Sequence, residues 1–131
     1  ALCPAIDMSN MGGCGKLWER AFTSIMFKIM VRRVLGTNKP TRDQYWQTNP
    51  TNFLTDGIVP IYLQHGDRDP GVSVQQSIDF ADAASSHLKP EDLCLDIMPG
   101  AAHAGAGPEF FLPEHIIPIF EFFKMRVVSD T

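Results

Sequence analysis

The sequence predicts an α/β fold in which parallel strands alternate with helices, and three observations carry that reading. Residues 59–64 form a short apolar run bounded by turn residues. Residues 93–98 alternate Leu93, Leu95 and Ile97 with Cys94, Asp96 and Met98. Both runs have strand length and strand composition. Each is followed by a segment with helical spacing, and the order strand, helix, strand, helix indicates parallel strands joined by right-handed crossovers.

The elements follow in order. Residues 1–6 are short, apolar and uncapped, and read as the end of a strand. Asp7 to Gly15 is rich in turn residues. Residues 16–35 form the clearest helix, with Leu17, Trp18, Ala21, Phe22, Ile25, Met26, Ile29, Met30 and Val34 making a broad apolar face. Arg32 and Arg33 suit the negative end of its dipole, and Gly36 supplies a left-handed stop. Such a face most often packs on a core, although the adaptable Met26 and Met30 would also suit a membrane surface or an acyl chain. Residues 37–52 are polar, contain Pro40 and Pro50, and hold one or two short helical turns.

After the strand at 59–64, Ser73-Val74-Gln75-Gln76 reads as a capping box that opens a helix running to about His87. Val74, Ile78, Ala81 and Leu88 form its apolar stripe, Asp79 and Asp82 point outwards, and Lys89-Pro90 ends it. Four small residues surround His103 in the loop after the second strand, and Pro108 closes that loop. The last helix, residues 116–128, is apolar enough to lie on a sheet. Pro113 fits its first turn, and Pro118 sits near its start or kinks it.

Composition narrows the function classes. A chain of 131 residues is at most one domain, and 44% hydrophobic with 20% charged residues is ordinary for a folded protein. A net charge of −4 and a pI near 5.4 give no basic footprint for nucleic acid. The apolar runs fall short of the roughly 18 residues of a membrane span, and no secretory leader pattern opens the sequence. The three cysteines lack C-x-x-C spacing. Cys3 and Cys94 read as buried thiols and Cys14 as part of a glycine-rich turn, so no metal or cofactor is expected. Unpaired thiols favour a reducing, cytoplasmic setting.

The chemistry concentrates in two loops, His65-Gly66-Asp67-Arg68-Asp69-Pro70 after the first strand and Pro99-Gly100-Ala101-Ala102-His103 after the second. In open α/β sheets, function collects beyond the carboxyl ends of the strands. A carboxylate from one such loop can hold an imidazole from the next in the right tautomer and stabilise the imidazolium. Asp67 and Asp69 compete for that role, since an aspartate in such a turn often caps backbone amides instead. His87 and His115 fall on helices and read as solvated. Ser73 is explained by its helix start, and no G-x-S-x-G elbow occurs in the sequence.

With these motifs in view, the chain resembles the C-terminal half of α/β-hydrolase-fold serine esterases and lipases. It is nearest the bacterial branch that includes carbohydrate esterases and relatives of the prolyl oligopeptidase group. The resemblance spans about Asn49 to Val127 and rests on Val59 to Ser77 and Met98 to Gly105. It implies that Asp69 is the triad acid, His103 the triad base and His65 structural. Residues 1–48 would be a strand end followed by a lid-like helical insertion. The implied activity is carboxylic ester hydrolysis, without a cofactor, on a small-molecule ester such as a carbohydrate ester. The nucleophilic serine and the oxyanion segment would lie upstream of residue 1, leaving this chain inactive alone. The implied partner is then the N-terminal half of the same fold or a second copy. The competing reading is a non-catalytic fragment or degenerate homologue acting as an interaction module.

Overall fold

The computed structural model describes residues 3–14, 16–104 and 108–127, apart from the side chains of Arg20 and Val127. Ala1 and Leu2 of the expected strand end, Gly15, Gly105 of the histidine loop and Val128 lie outside the described residues. The elements are α1 (Leu17–Leu35), α2 (Arg42–Thr48), β1 (Ile61–Gly66), α3 (Val74–Ala84), β2 (Leu93–Met98) and α4 (Pro113–Val127). Short 3-10 turns at Pro50–Phe53, Pro90–Asp92 and Glu109–Phe111 join them. The class is therefore mixed α/β, with β1 and β2 paired in parallel from Ile61 opposite Leu93 to Gly66 opposite Met98.

Strand alternation sorts the side chains onto two faces. Leu63 joins Phe80, Ala81 and Ala84 of α3 in a core that also takes in Ile6, with Ile61, Leu93 and Leu95 packed against it. On the other face Tyr62 meets Phe122 of α4 edge-on, with ring centroids 5.3 Å apart, and Arg126 stacks over the same Phe122 ring. Gln64, fully buried, donates to the His115 carbonyl at 2.8 Å and to Asp96 Oδ2 at 3.0 Å.

Several expectations need correcting. β1 begins two residues later than the apolar run suggests and continues through His65 and Gly66; Val59 stays exposed. Residues 3–6 are not a strand. Besides the packing of Ile6, one backbone bond among the described residues joins them to β1, from Cys3 N–H to the Gln64 carbonyl at 2.8 Å. α3 ends at Ala84 and passes through turns at His87. Its buried face is Gln76, Ser77, Phe80, Ala81 and Ala84, not the stripe through Val74 and Ile78. Phe80 packs beside Leu63 with Ala81 and Ala84 at close-packed density, and the helix rotation that this sets leaves Ile78 exposed.

The Ser73 cap is present, but Ser73 Oγ accepts from Gln75 N–H at 3.2 Å, and Gln76 takes no part in a capping box. Gln76 is instead buried and grips the N-terminal segment. Its Oε1 accepts from Asp7 N–H at 2.8 Å, while Nε2 donates to the carbonyls of Asp7 at 3.1 Å and Asn10 at 2.7 Å. A true reciprocal box opens α2, where Thr41 Oγ1 accepts from Gln44 N–H at 3.2 Å and Gln44 Oε1 from Thr41 N–H at 2.9 Å.

The outer helices differ most from expectation. α1 begins with Glu19 accepting from Lys16 N–H at 2.7 Å and stops at Gly36 with φ 70°, as its sequence requires. Its apolar face does not pack on a core: Trp18, Phe22, Ile25 and Met26 are exposed, and Val31 is its buried apolar residue. In α4, Phe122 is buried while Ile117, Phe120 and Phe123 are exposed. A two-stranded sheet offers too little surface to cover both helices. Among the described residues no helix is long and apolar enough to cross a membrane.

Gly66 ends β1 where the loops carrying Asp69 and His103 converge. A Cβ there would lie 2.3 Å from the Ala101 carbonyl oxygen and 2.4 Å from that of Ala102. Gly66→Ala is expected to cost about 1–3 kcal/mol by overpacking. Gly12→Ala, where a Cβ meets nothing within 4 Å, is expected to stay within about 0.5 kcal/mol of the parent. Urea unfolding midpoints of the two variants check the contrast.

Candidate active site

The parallel register sets Gly66 opposite Met98, so the loops after β1 and β2 leave the sheet side by side. Backbone bonds then tie them together. Asp67 N–H donates to the Met98 carbonyl at 3.2 Å and Arg68 N–H to the Ala101 carbonyl at 2.9 Å. Asp67, exposed, uses its carboxylate to accept from Gly100 N–H at 2.7 Å, where Gly100 takes φ 78°. Asp67 is thus a brace between loops.

Asp69 occupies a different environment. It is 1% exposed. Its Oδ1 accepts from the amides of Gly71 at 2.7 Å and Val72 at 2.9 Å, an arrangement that the Asp69-Pro70-Gly71 turn builds from within. That leaves Oδ2 aimed at His103, whose Nδ1 lies 2.6 Å away. The two residues predicted to pair are therefore paired, from positions 34 apart in the chain. Burial works against the Asp69 charge. The hydrogen bonds from His103, His65 and the two amides outweigh it and hold the carboxyl well below the usual carboxylate range.

The same contact acts on the partner. The hydrogen bond to Asp69 stabilises the His103 imidazolium, and together with the nearby negative charge it outweighs partial burial, raising the ring above its ordinary value of 6.5. The His103 side chain is 47% exposed. With Nδ1–H committed to Asp69, the neutral ring carries its basic lone pair on Nε2. This is the tautomer that a general base needs.

His65, structural by the resemblance, supports the Asp69 loop through contacts that no local pattern announces. It is fully buried. Nδ1 lies 2.6 Å from Ser77 Oγ and Nε2 3.1 Å from the Val72 carbonyl. The network fits one tautomer: the Ser77 hydroxyl donates to Nδ1, and Nε2–H is shared between Val72 and Asp69 Oδ2 at 3.4 Å. His65 therefore fastens the acid loop to α3. Its spacing of twelve from Ser77, across a strand end, a turn and a helix start, is no recognisable motif.

Residues 7–14 close the far side of the loop. Cys14 N–H donates to the Asp69 carbonyl at 2.8 Å and Cys14 Sγ contacts the Asp67 carbonyl at 3.4 Å. A Cβ on Gly13 would meet the Asp69 carbonyl oxygen at 1.9 Å, so only glycine fits there. Cys14 is exposed, Cys94 half-buried and Cys3 buried. Burial foremost raises the Cys3 thiol, which accepts from Ala104 N–H at 3.3 Å. Donor atoms of Cys3, His65 and Asp69 lie within 4.8 Å of one another. However, both His65 nitrogens and both Asp69 oxygens are already engaged, and a metal ion would have to displace those bonds. Of the other histidines, His87 is half-buried and pairs with Asp56 at 3.0 Å, while His115 is half-buried 4.0 Å from Asp96.

An acid–base couple at adjacent strand ends, with its acid buried and its base exposed, can take a proton from a hydroxyl and return it to a leaving group. No protein-family model, curated protein or solved structure matches this chain.

The pairing has a direct readout. In an NMR titration of the His103 ring, the midpoint is expected above 6.5, because Asp69 stabilises the protonated form. Asp69→Asn removes the negative charge and leaves burial to pull the other way, so the midpoint should fall. The same midpoint in both proteins would show that Asp69 does not set the protonation of His103.

Proposed function

We propose that Asp69 and His103 are the acid and base of a Ser-His-Asp triad in a carboxylic ester hydrolase, with the serine supplied from outside this sequence. The observation that carries the reading is the bond of 2.6 Å between the buried Asp69 carboxylate and Nδ1 of the exposed His103, at the carboxyl ends of two parallel strands. The resemblance of both loops to those of α/β-hydrolase-fold esterases points the same way, with α1 in the place of a lid-like insertion.

In this mechanism Nε2 of His103 removes the proton from the serine hydroxyl as that oxygen attacks the ester carbonyl. The resulting imidazolium is stabilised by Asp69 and then protonates the leaving alcohol. A second cycle, with water in place of serine, releases the acid. Asp69 stays ionised throughout, held so by its two amides and by His65. The sequence contains no G-x-S-x-G elbow, so on this reading the chain is inactive by itself.

The test uses the polypeptide that supplies the serine. There His103→Ala should lower p-nitrophenyl ester hydrolysis by several orders of magnitude without unfolding the protein. Asp69→Asn should cost far more than Asp67→Asn, since Asp67 braces a loop through one exposed bond. Undiminished turnover in His103→Ala would remove His103 from the mechanism, and the reverse order for the aspartates would exchange their roles.

A second reading is favoured by the exposed apolar residues of α1 and α4: a non-catalytic module that pairs with another chain. It predicts that the 131-residue chain self-associates in size-exclusion chromatography with light scattering. A monomer at all concentrations would count against it.

A further inference from the structure

The exposed face of α1 is not an isolated patch. Together with the acid loop it walls a groove of about 440 Å³ that runs from His103 past Pro70 to Trp18, Phe22, Met26 and Met30. This volume falls within the roughly 300–1,000 Å³ of small-molecule sites. Thr23 Oγ1, which donates within α1 to the Glu19 carbonyl at 2.9 Å, also lies 3.3 Å from the Pro70 carbonyl, so α1 sits close against the loop and the groove and the Asp69–His103 pair share one wall.

Its shape follows from spacing. Trp18, Phe22, Met26 and Met30 recur every four residues, one above another on the helix. Twelve residues at 1.5 Å rise make this row about 18 Å long, so the volume is drawn out rather than compact. Apart from Trp18, Glu19, Thr23 and His103, the described lining offers only apolar side chains, thioethers and glycine. Methionine thioethers adapt to a flexible chain better than branched side chains do.

We infer that this groove binds the unbranched aliphatic chain of the ester whose bond is cleaved beside His103. The inference rests on the hydrolase reading for the identity of the ligand, although binding of the chain requires no serine. The aliphatic part belongs to either the acyl or the alkoxy side, whose first carbons stand one and two bonds from the reacting carbon.

The binding test uses the 131-residue chain in a Trp46→Phe background, which leaves Trp18 as its one indole. The probe is 10-bromodecan-1-ol, neutral so that Glu19 does not repel it and brominated so that it quenches nearby indole emission. Saturable quenching at one probe per chain is expected. Met26→Glu places a charge in the groove and should weaken binding about tenfold or more. Phe120→Glu, at a more exposed apolar position on α4, should leave binding unchanged. Absent or non-saturable quenching, or equal loss in both variants, would overturn the inference.

A second measurement separates this outcome from the fate of the hydrolase reading. In the serine-containing polypeptide, kcat/KM should rise roughly fourfold per methylene in one of two series, p-nitrophenyl esters of lengthening acids or acetates of lengthening alcohols. The series that responds identifies the side held. Hydrolysis that is indifferent to length in both series would overturn the groove assignment and leave the triad standing. Probe binding as described, with no ester hydrolysed, would do the opposite.

Discussion

A carboxylate charge taken out of water is tolerated only if donors surround it, and Asp69 shows how much of a small fold such a requirement can organise. Two of its donors are amides of its own turn, one is His103 and one is His65. Each has a structural cost elsewhere. The amides require the chain to double back at Pro70-Gly71. His65 must be buried against α3, where Ser77 accepts its placement by donating to Nδ1. His103 must come from the neighbouring strand, which only the parallel register of β1 and β2 permits. Displacing any one of these would leave a buried charge short of a partner, a larger penalty than the loss of an ordinary hydrogen bond.

The same requirement explains why two nearby aspartates differ. Asp67 and Asp69 stand in one loop, yet Asp67 faces solvent and bridges to Gly100, while Asp69 faces inwards. Strand alternation would set residues two apart on the same side, but it stops with β1 at Gly66, and the turn at Asp67-Arg68 sends the two carboxylates different ways. The turn at Pro70 then selects Asp69 as the residue whose second oxygen is left over for the imidazole.

How much of this was legible in the sequence depends on the range of the interaction. β2 was read with its observed bounds, because alternation along one strand is a local signal. α1 ended where its glycine said it would, and Asp69 and His103 could be paired because a βαβ unit brings consecutive loops together. The buried face of α3 was misread because Phe80 is placed by what lies opposite, not by its own helix. Gln76 reads locally as half of a capping box because its actual partners, Asp7 and Asn10, are more than 60 positions away. The fate of the apolar residues on α1 and α4 was equally invisible. Their spacing describes a face, while the area available to cover it is a property of the assembled sheet.

The N-terminal clamp also bears on the order of folding. β1, α3 and β2 lie close in sequence and can form a unit by short-range closure. The site is finished by contacts of another kind: Asp7 with Gln76 across 69 positions and Cys3 with Ala104 across 101. Closing such spans costs more chain entropy and slows assembly. The sheet can therefore exist before the acid loop has been fastened from its far side. In that interval the Asp69–His103 pair lacks the contacts of residues 3–14, so it reaches its final setting last, when Cys3 closes on Ala104 and Asp7 on Gln76.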